Sequence, residues 1–500
     1  MLRILGNQRE LCDGLSRRDL LHAGGLGLFG LGLADFLKLQ GVQASTGEHA
    51  PKFGKAKSCI LLFPFGAAPQ HETFDPKPEA PAEIRGELGS IESTLPGLRV
   101  CDRLPRVAQI ADRLTVVRSM THPYPLHGVA YAVSGLPVYD TSLETRPRDI
   151  RHWPFMGSIV DWHQERNIGP APRDMPRNIC LPWVFNSQAE DQPVLAGPYG
   201  AFLGQKYDPY TPTFIGAGTQ VAPKLADAQK TQYLDPYAGI TAEGHFSVSE
   251  TGRATPELTL DRLDRRRTLL EQFDQTRRKL ETDPRTNLFD RQQDMAFSLL
   301  TSRKLRDALD ISRESQATRD QYGMTLFGQS CLAARRLVEA GSKFVTVFWD
   351  AYKIYAGSTW DTHANHFPRL KEYLLPGMDM ALPGLILDLE ARGMLDDTLV
   401  LWMSEHGRTP QIDSKPIGAG RHHWSRAYSM AMAGGGTARG RIVGSTDRMG
   451  GDVRDTPISP KDILATTFHL LGIDPNTQMQ DREGRPHHIA GDGRVRTELL

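Results

Sequence analysis

The chain has 500 residues, and its 59 Lys and Arg balance 59 Asp and Glu, so the formal charge at pH 7 is zero. This length predicts one large elaborated domain or two closely packed ones. Balanced charge provides no electrostatic footprint for nucleic acid or an anionic membrane surface, so we expect neither as a partner. Gly (47) and Pro (34) are only slightly above average usage, which favours a loop-rich folded chain over disorder.

Residues 1–44 have the pattern of an export signal. Arg17 and Arg18 form a twin-arginine pair before a Gly- and Leu-rich apolar run at 24–33. That run is too short to cross the ~30 Å apolar core of a bilayer, so we expect no stable membrane span. Small residues at 42–44 suit cleavage before Ser45. The pattern predicts export by the twin-arginine route to the periplasm or cell envelope; the alternative is a short amphipathic N-terminal helix.

Residues 45–57 are small, polar and Lys-rich, which is typical of a linker, and the folded domain is predicted over 58–490. Continuous apolar runs are typical of parallel strands buried on both faces. Such runs occur at 58–64, 114–119, 343–348 and 398–403. Helical patterns occur at 104–114, 332–340, 376–392 and 463–471. The alternation predicts an α/β fold, with a mainly parallel central sheet and helices on both faces.

Two segments interrupt this alternation. Residues 137–250 are rich in Pro, Gly and aromatic residues without a sustained period, and we expect an irregular excursion over the sheet edge. Residues 255–340 carry charged helical patterns, which predict a helical layer whose charge runs face solvent.

Four cysteines lie beyond the predicted signal: Cys59, Cys101, Cys180 and Cys331. They show no C-x-x-C spacing, which favours buried free thiols, although one or two disulfides are an alternative.

Side chains able to bind a metal follow the predicted strands or lie in a glycine-rich loop. The carboxyl ends of parallel strands meet at one sheet edge, so we expect these groups to converge there. The set is Asp361, His363, Glu405, His406 and His423, with His422 and Glu72 as further candidates. Imidazole nitrogen and carboxylate oxygen suit a divalent metal, whether Zn, Mn, Ca or Mg. Taken singly, each pair has a structural alternative, such as an ion pair between Glu405 and Arg408.

The chain resembles the domain-of-unknown-function 1501 family, a group of exported proteins of planctomycete-type bacteria. The matching motifs run from the signal almost to the C-terminus: 16–21, 73–78, Trp360-Asp361-Thr362-His363, Gly407-Arg408-Thr409-Pro410, Arg421 with His423-Trp424, 433–436, and 465–474. That family is placed with the alkaline phosphatase and sulfatase superfamily. The resemblance therefore implies an alkaline phosphatase-like fold and a metal site. It assigns Asp361 with His363 or His366 to one ligand group, Glu405-His406 to a second, and His423 to a third.

Several positions depart from the family pattern. His406 and His422 stand where members usually have Phe and Asp, and the loop at 66–73 lacks the family's Ser. The Cys-x-Pro-x-Arg motif of formylglycine sulfatases is absent from the sequence. Thr73 is then the hydroxyl best placed as a covalent nucleophile, and His127 is the predicted general acid.

Two functions follow from these residues. The first is an exported metal-dependent hydrolase of phosphate or sulfate esters, acting on a small-molecule or polysaccharide ester. The alternative is a non-catalytic envelope or binding protein that retains the fold. A redox enzyme is disfavoured because the sequence has neither a dinucleotide fingerprint nor a haem motif.

Overall fold

In the computed structural model, the described residues are 51–137, 139–168, 175–221, 233–248, 302–354, 357 and 359–500. The predicted signal and most of the predicted helical layer at 255–340 lie outside these ranges. Every element below belongs to the unit formed by residues 52–500. Across the described ranges, no helix has the length and apolar character needed to cross a membrane.

Seven strands form the central sheet. In chain order they are β1 (Ser58–Pro64), β2 (Thr115–Met120), β3 (Asn178–Leu181), β4 (Phe344–Trp349), β5 (Thr398–Trp402), β6 (Tyr428–Ala433) and β7 (Arg441–Val443). Their spatial order is β7-β2-β6-β5-β1-β4-β3. β1 pairs in parallel with both β4 and β5, and only β6 runs against its neighbours. The four strands predicted from sequence all belong to this sheet, and the mainly parallel α/β fold is confirmed.

Ten α-helices are described. They are α1 (Ala82–Arg85), α2 (Pro105–Gln109), α3 (Val129–Ala132), α4 (Met156–Ile168), α5 (Arg303–Leu309), α6 (Gln316–Tyr322), α7 (Leu326–Glu339), α8 (His366–Arg369), α9 (Leu375–Ala391) and α10 (Pro460–Leu470). Ser459 caps α10 in a capping box with Asp462, and Pro460 occupies the first helical position. This arrangement satisfies backbone N–H groups that the first turn of a helix leaves unpaired.

Side chains of β1 alternate between two hydrophobic cores, because successive residues of a strand point to opposite faces. Ile60 and Leu62 join the core that contains α7 and α9. Cys59, Leu61 and Phe63 join the core that contains α4 and α10. Helices therefore cover both faces of the sheet, and every residue of β1 is buried.

In the part of the chain that the structure describes, five short antiparallel ribbons lie outside the sheet. They pair Ser90–Glu92 with Arg99–Cys101, Thr213–Ile215 with His245–Ser247, Gly407–Arg408 with His423–Trp424, Ser445–Thr446 with Val453–Asp455, and Gln478–Gln480 with Pro486–His488. One of these ribbons contains Arg408 and His423. It folds the loop after β5 back over the carboxyl edge of the sheet.

The segment 137–250 differs from the prediction of an irregular excursion, because it contributes β3 to the sheet and α4 to one of its faces. Residues 156–162 of α4 are all buried, so the first half of the helix has no polar face to create a helical period. β3 has only four residues, too few for a clear strand pattern. The cysteine prediction is confirmed, since Cys59, Cys101, Cys180 and Cys331 are free and buried.

Candidate metal centre

Loops at the carboxyl edge of the sheet bring the predicted side chains together. Glu405 and His406 follow β5, His127 comes from the loop after β2, and Asp361 lies beyond β4. His423 arrives by the ribbon, in which it pairs directly with Arg408. These elements explain why residues almost 300 positions apart in sequence share one site.

Gly66, just after β1, allows the close approach of two of these loops. A Cβ atom at this position would lie 2.3 Å from the backbone nitrogen of Asp361, and its φ of +96° favours glycine. Its backbone N–H donates a hydrogen bond of 2.8 Å to Oε1 of Glu405. The end of β1 therefore supplies a backbone donor that orients Glu405 in the site.

The first donor group consists of His127, Asp361, His363 and His423, whose ligand atoms all lie within 4.8 Å of one another. Nε2 of His363 lies 3.0 Å from Oδ1 of Asp361 and 3.0 Å from Nε2 of His423. Nε2 of His127 lies 3.4 Å from the other oxygen, Oδ2, of Asp361. Three imidazoles thus surround one buried carboxylate.

The second donor group consists of His127, Glu405 and His406. Nδ1 of His127 lies 2.9 Å from Oε1 of Glu405, so this ring contacts a carboxylate through each of its nitrogens. The ring centroids of His406 and His423 are 4.6 Å apart. This separation is well inside the ~10 Å limit beyond which two imidazoles cannot share an ion.

The geometry fits a divalent cation on two grounds. Ligands held at ~2.0–2.3 Å from one ion can be at most ~4.6 Å apart, so donors within 4.8 Å need move only by tenths of an ångström. In addition, Oε2 of Glu405 and Nε2 of His406 are buried without a hydrogen-bond partner among the described residues. Buried polar atoms are rarely left unpaired, and a cation would pair both. The ligand roles themselves stay predictions.

Arg408 is the group at this site that the sequence did not reveal as central. It is fully buried and donates to Oδ1 of Asp361 and to the backbone carbonyl of Gly66. It also donates to the carbonyl of Arg421, and its Nη1 lies 3.4 Å from Nε2 of His363. The ion pair considered between Glu405 and Arg408 is thus formed by Asp361 instead.

Charges in the centre shift the pKa values of its members. Burial alone would lower the pKa of His127, but the carboxylates of Asp361 and Glu405 raise it to about 9. Burial opposes ionisation of Asp361, yet Arg408 and His127 hold its pKa well below the usual range. Burial, reinforced by neighbouring cations, lowers the pKa of His423 to about 4 and that of His406 well below its usual value. His406 and His423 are therefore neutral near pH 7, the form that binds metals.

The remaining candidates lie around the centre. Glu72 is buried against Arg421, whose Nη2 donates to its Oε1 at 2.6 Å, and Nε2 of His366 lies 3.4 Å from its Oε2. His422 lies outside the two donor groups but contacts His363, with 2.8 Å between their Nδ1 atoms. Thr73 is buried, and its hydroxyl donates to the carbonyl of Pro69 at 2.7 Å. Thr73 and Glu72 are not members of either donor group.

The fold and this cluster together define an α/β protein with a candidate divalent-metal centre at the carboxyl edge of its sheet. The chain belongs to the family described as Protein of unknown function (DUF1501), whose model matches residues 56–500. The resemblance stated from the sequence motifs is thereby confirmed. Among curated proteins, none matches this sequence.

Several solved structures are distantly similar to the chain. PsFucS1 sulfatase from Pseudoalteromonas sp. has 12% sequence identity over 93% of this chain and 74% of its own, with a TM-score of 0.37. Ps i-CgsB has 12% identity over 83% of this chain and 72% of its own, with a TM-score of 0.37. The lipoteichoic acid synthase LtaP from Listeria monocytogenes has 10% identity over 90% and 80%, with a TM-score of 0.35.

Proposed function

We propose that this protein is an exported, divalent-metal-dependent hydrolase of phosphate or sulfate esters. The observation that carries the proposal is the convergence of two donor groups on His127, the second of which holds two buried ligand atoms without a hydrogen-bond partner among the described residues. Asp361, His363 and His423 would hold the cation together with His127, and Glu405 and His406 extend the same set of donors. The mixed nitrogen and oxygen donors suit Zn or Mn better than Ca or Mg.

The charge balance supports an anionic substrate. The carboxylates of Asp361 and Glu405 are offset by Arg408 and by a protonated His127, whose pKa is raised to about 9. A divalent cation would replace the single proton of His127 and leave the centre with a net positive charge. A buried positive centre attracts the anionic group of a phosphate or sulfate ester.

A bound divalent cation would supply a Lewis acid for an ester oxygen and acidify a water molecule. The chain's own groups would do the rest. In this arrangement His127 would bind the cation through Nε2 rather than act as a general acid, and Glu405 would orient the ring by accepting from Nδ1, since those two atoms are 2.9 Å apart. Arg408 would offset negative charge that develops on the ester oxygens. Since the Thr73 hydroxyl is engaged with Pro69, a water nucleophile suits this arrangement better.

A cavity at the carboxyl edge of the sheet suits the organic part of such an ester. It has a volume of about 360 Å³ and opens at the carboxyl ends of β3 and β4, where Trp183 and Tyr352 line it. Uncharged polar side chains such as Gln188 and apolar ones such as Phe214 share the rest of the lining, a mixture that is usual for a small-molecule site. Phe65 packs against Phe185 beside Trp183 and against His127, with centroid distances of 4.9 and 5.6 Å. The cavity and the centre therefore both lie at the carboxyl edge of the sheet.

A non-catalytic binding protein is the second candidate function. It is favoured by Arg408, which already pairs with Asp361, and by Thr73, whose hydroxyl is committed to a backbone carbonyl. In that case the centre would hold a cation or an anion without turnover. The two functions make opposite predictions for a hydrolysis assay.

The assay uses p-nitrophenyl phosphate and p-nitrophenyl sulfate with protein loaded separately with Zn²⁺, Mn²⁺, Mg²⁺ or Ca²⁺. We expect one ester to be hydrolysed by the loaded protein, and we expect a chelator or the variant His423→Ala to abolish the activity. Retained circular dichroism would show that His423→Ala is folded. A protein that binds metal but hydrolyses neither ester would contradict the hydrolase proposal and support the binding protein.

A further inference from the structure

Two residues outside the donor groups continue the site toward solvent. Nδ1 of His363 lies 2.8 Å from Nδ1 of His422, and Nε2 of His422 lies 3.2 Å from Oδ2 of Asp413. The side chains of His363 and His422 are 40% and 51% exposed, so packing alone does not fix either ring. The contacts with His422 and Asp413 therefore constrain the Nδ1 side of the His363 ring, while its Nε2 side meets the centre.

The direction of each hydrogen bond follows from where His363 meets the centre. Its Nε2 faces Asp361 and His423, so Nε2 is the atom that would bind a cation. A neutral imidazole that ligates through Nε2 carries its proton on Nδ1, which must then donate. Nδ1 of His422 is the acceptor. The proton of His422 then sits on Nε2 and is donated to the carboxylate of Asp413.

The backbone holds these two residues in place. Asp413 and Gly420 exchange two backbone hydrogen bonds of 2.9 and 2.8 Å, and the N–H of His422 donates to the hydroxyl of Thr409 at 3.0 Å. A Cβ atom on Gly420 would lie 1.9 Å from the carbonyl oxygen of His363. The glycine therefore lets this loop pack directly against His363.

We propose that His422 and Asp413 are positioning residues that fix the ring and the tautomer of His363 for metal binding. This inference rests on the proposed metal centre and adds to it two residues that touch neither cation nor substrate. A ligand histidine is normally held by a partner on its other nitrogen, and loss of that partner typically weakens metal affinity by roughly 10- to 100-fold. Here the partner is a second histidine, itself oriented by a carboxylate.

The test measures Zn²⁺ affinity of the folded protein by competition with a chromogenic chelator. His422→Phe keeps a ring of similar size but removes the acceptor, and we expect affinity to fall by roughly 10- to 100-fold. His422→Asn restores an acceptor oxygen at the place of Nδ1, and we expect most of the affinity to return. ¹⁵N NMR of the zinc-loaded protein should show the proton of His363 on Nδ1 in the wild type.

A matched control is available in another part of the chain. Nε2 of His487 lies 2.9 Å from Oδ2 of Asp481, so His487→Phe breaks a comparable surface His–Asp pair. We expect this variant to bind Zn²⁺ as the wild type does. If His422→Phe also binds as the wild type does, the positioning role is wrong while the metal centre stands. If the wild type itself binds no Zn²⁺, the metal centre fails, and this inference fails with it.

Discussion

His127 makes the stability of the metal-free protein depend on pH. Its pKa is raised from 6.5 to about 9 by the carboxylates of Asp361 and Glu405. At about 1.4 kcal/mol for each tenfold change in proton affinity, this corresponds to about 3 kcal/mol of folding free energy. The side chain is 10% exposed, so solvent screening reduces this value only slightly.

The sign follows from the raised pKa. The stabilisation is fully present below about pH 6.5, where the ring is protonated in the folded and the unfolded chain alike, and it is lost as pH rises through about 9. His127→Gln should therefore be less stable than the wild type by about 3 kcal/mol near pH 6.5 and about equal to it above pH 9.5. Other groups titrate in both proteins, so their contributions to the stability cancel in the difference. Asp350 is one of these groups, because burial raises its pKa to about 7.

Urea unfolding of the chelator-treated proteins between pH 6.5 and 9.5 measures this difference directly. His163→Gln is a suitable control, because that half-buried ring lies on α4 and belongs to neither donor group. A difference between the wild type and His127→Gln that stays constant over this range would refute the charge balance described for the centre.

Three further predictions follow from the site and the signal. Zinc binding at pH 7.5 should release about one proton, because the cation displaces the proton of His127. Calorimetry in buffers of different ionisation enthalpy measures the number of protons released. Zinc binding without proton release would contradict this displacement. Arg421→Met should lower the free energy of unfolding by about 3–5 kcal/mol, because it leaves the buried carboxylate of Glu72 without its cationic partner. A loss of less than about 1 kcal/mol in urea unfolding would contradict this prediction. Replacing Arg17 and Arg18 together by Lys should leave unprocessed precursor in the cytoplasm on immunoblots of cell fractions, and normal export contradicts the twin-arginine prediction.

The sheet and the site loops could be predicted because their signals are local. Apolar runs mark β1, β2, β4 and β5, and parallel strands bring the residues that follow them to one edge. The convergence of Glu405 with His423 follows from this rule and a glycine-rich loop. The position of β6 between β2 and β5 could not be predicted, since pairing partners are not encoded in the strand itself.

The role of Arg408 could not be predicted either. In sequence it is one basic residue after Glu405 and His406, and an arginine is most often exposed. Its buried guanidinium donates to the carbonyl group of Gly66, which is distant in sequence, and to that of Arg421, which the ribbon brings close. The contact of His127 with both carboxylates is likewise a product of tertiary packing. From the sequence, the polar turn that contains His127 indicated only a candidate general acid.

The central claim is that these residues form a metal centre, and elemental analysis of protein purified from its native host tests it most directly. We expect a stoichiometric divalent transition metal in the wild type and loss of most of that metal in His406→Ala and in His423→Ala. Circular dichroism should show both variants folded. Wild-type protein without metal above background, or variants that retain the full amount, would contradict the account, and the binding-protein function would take its place.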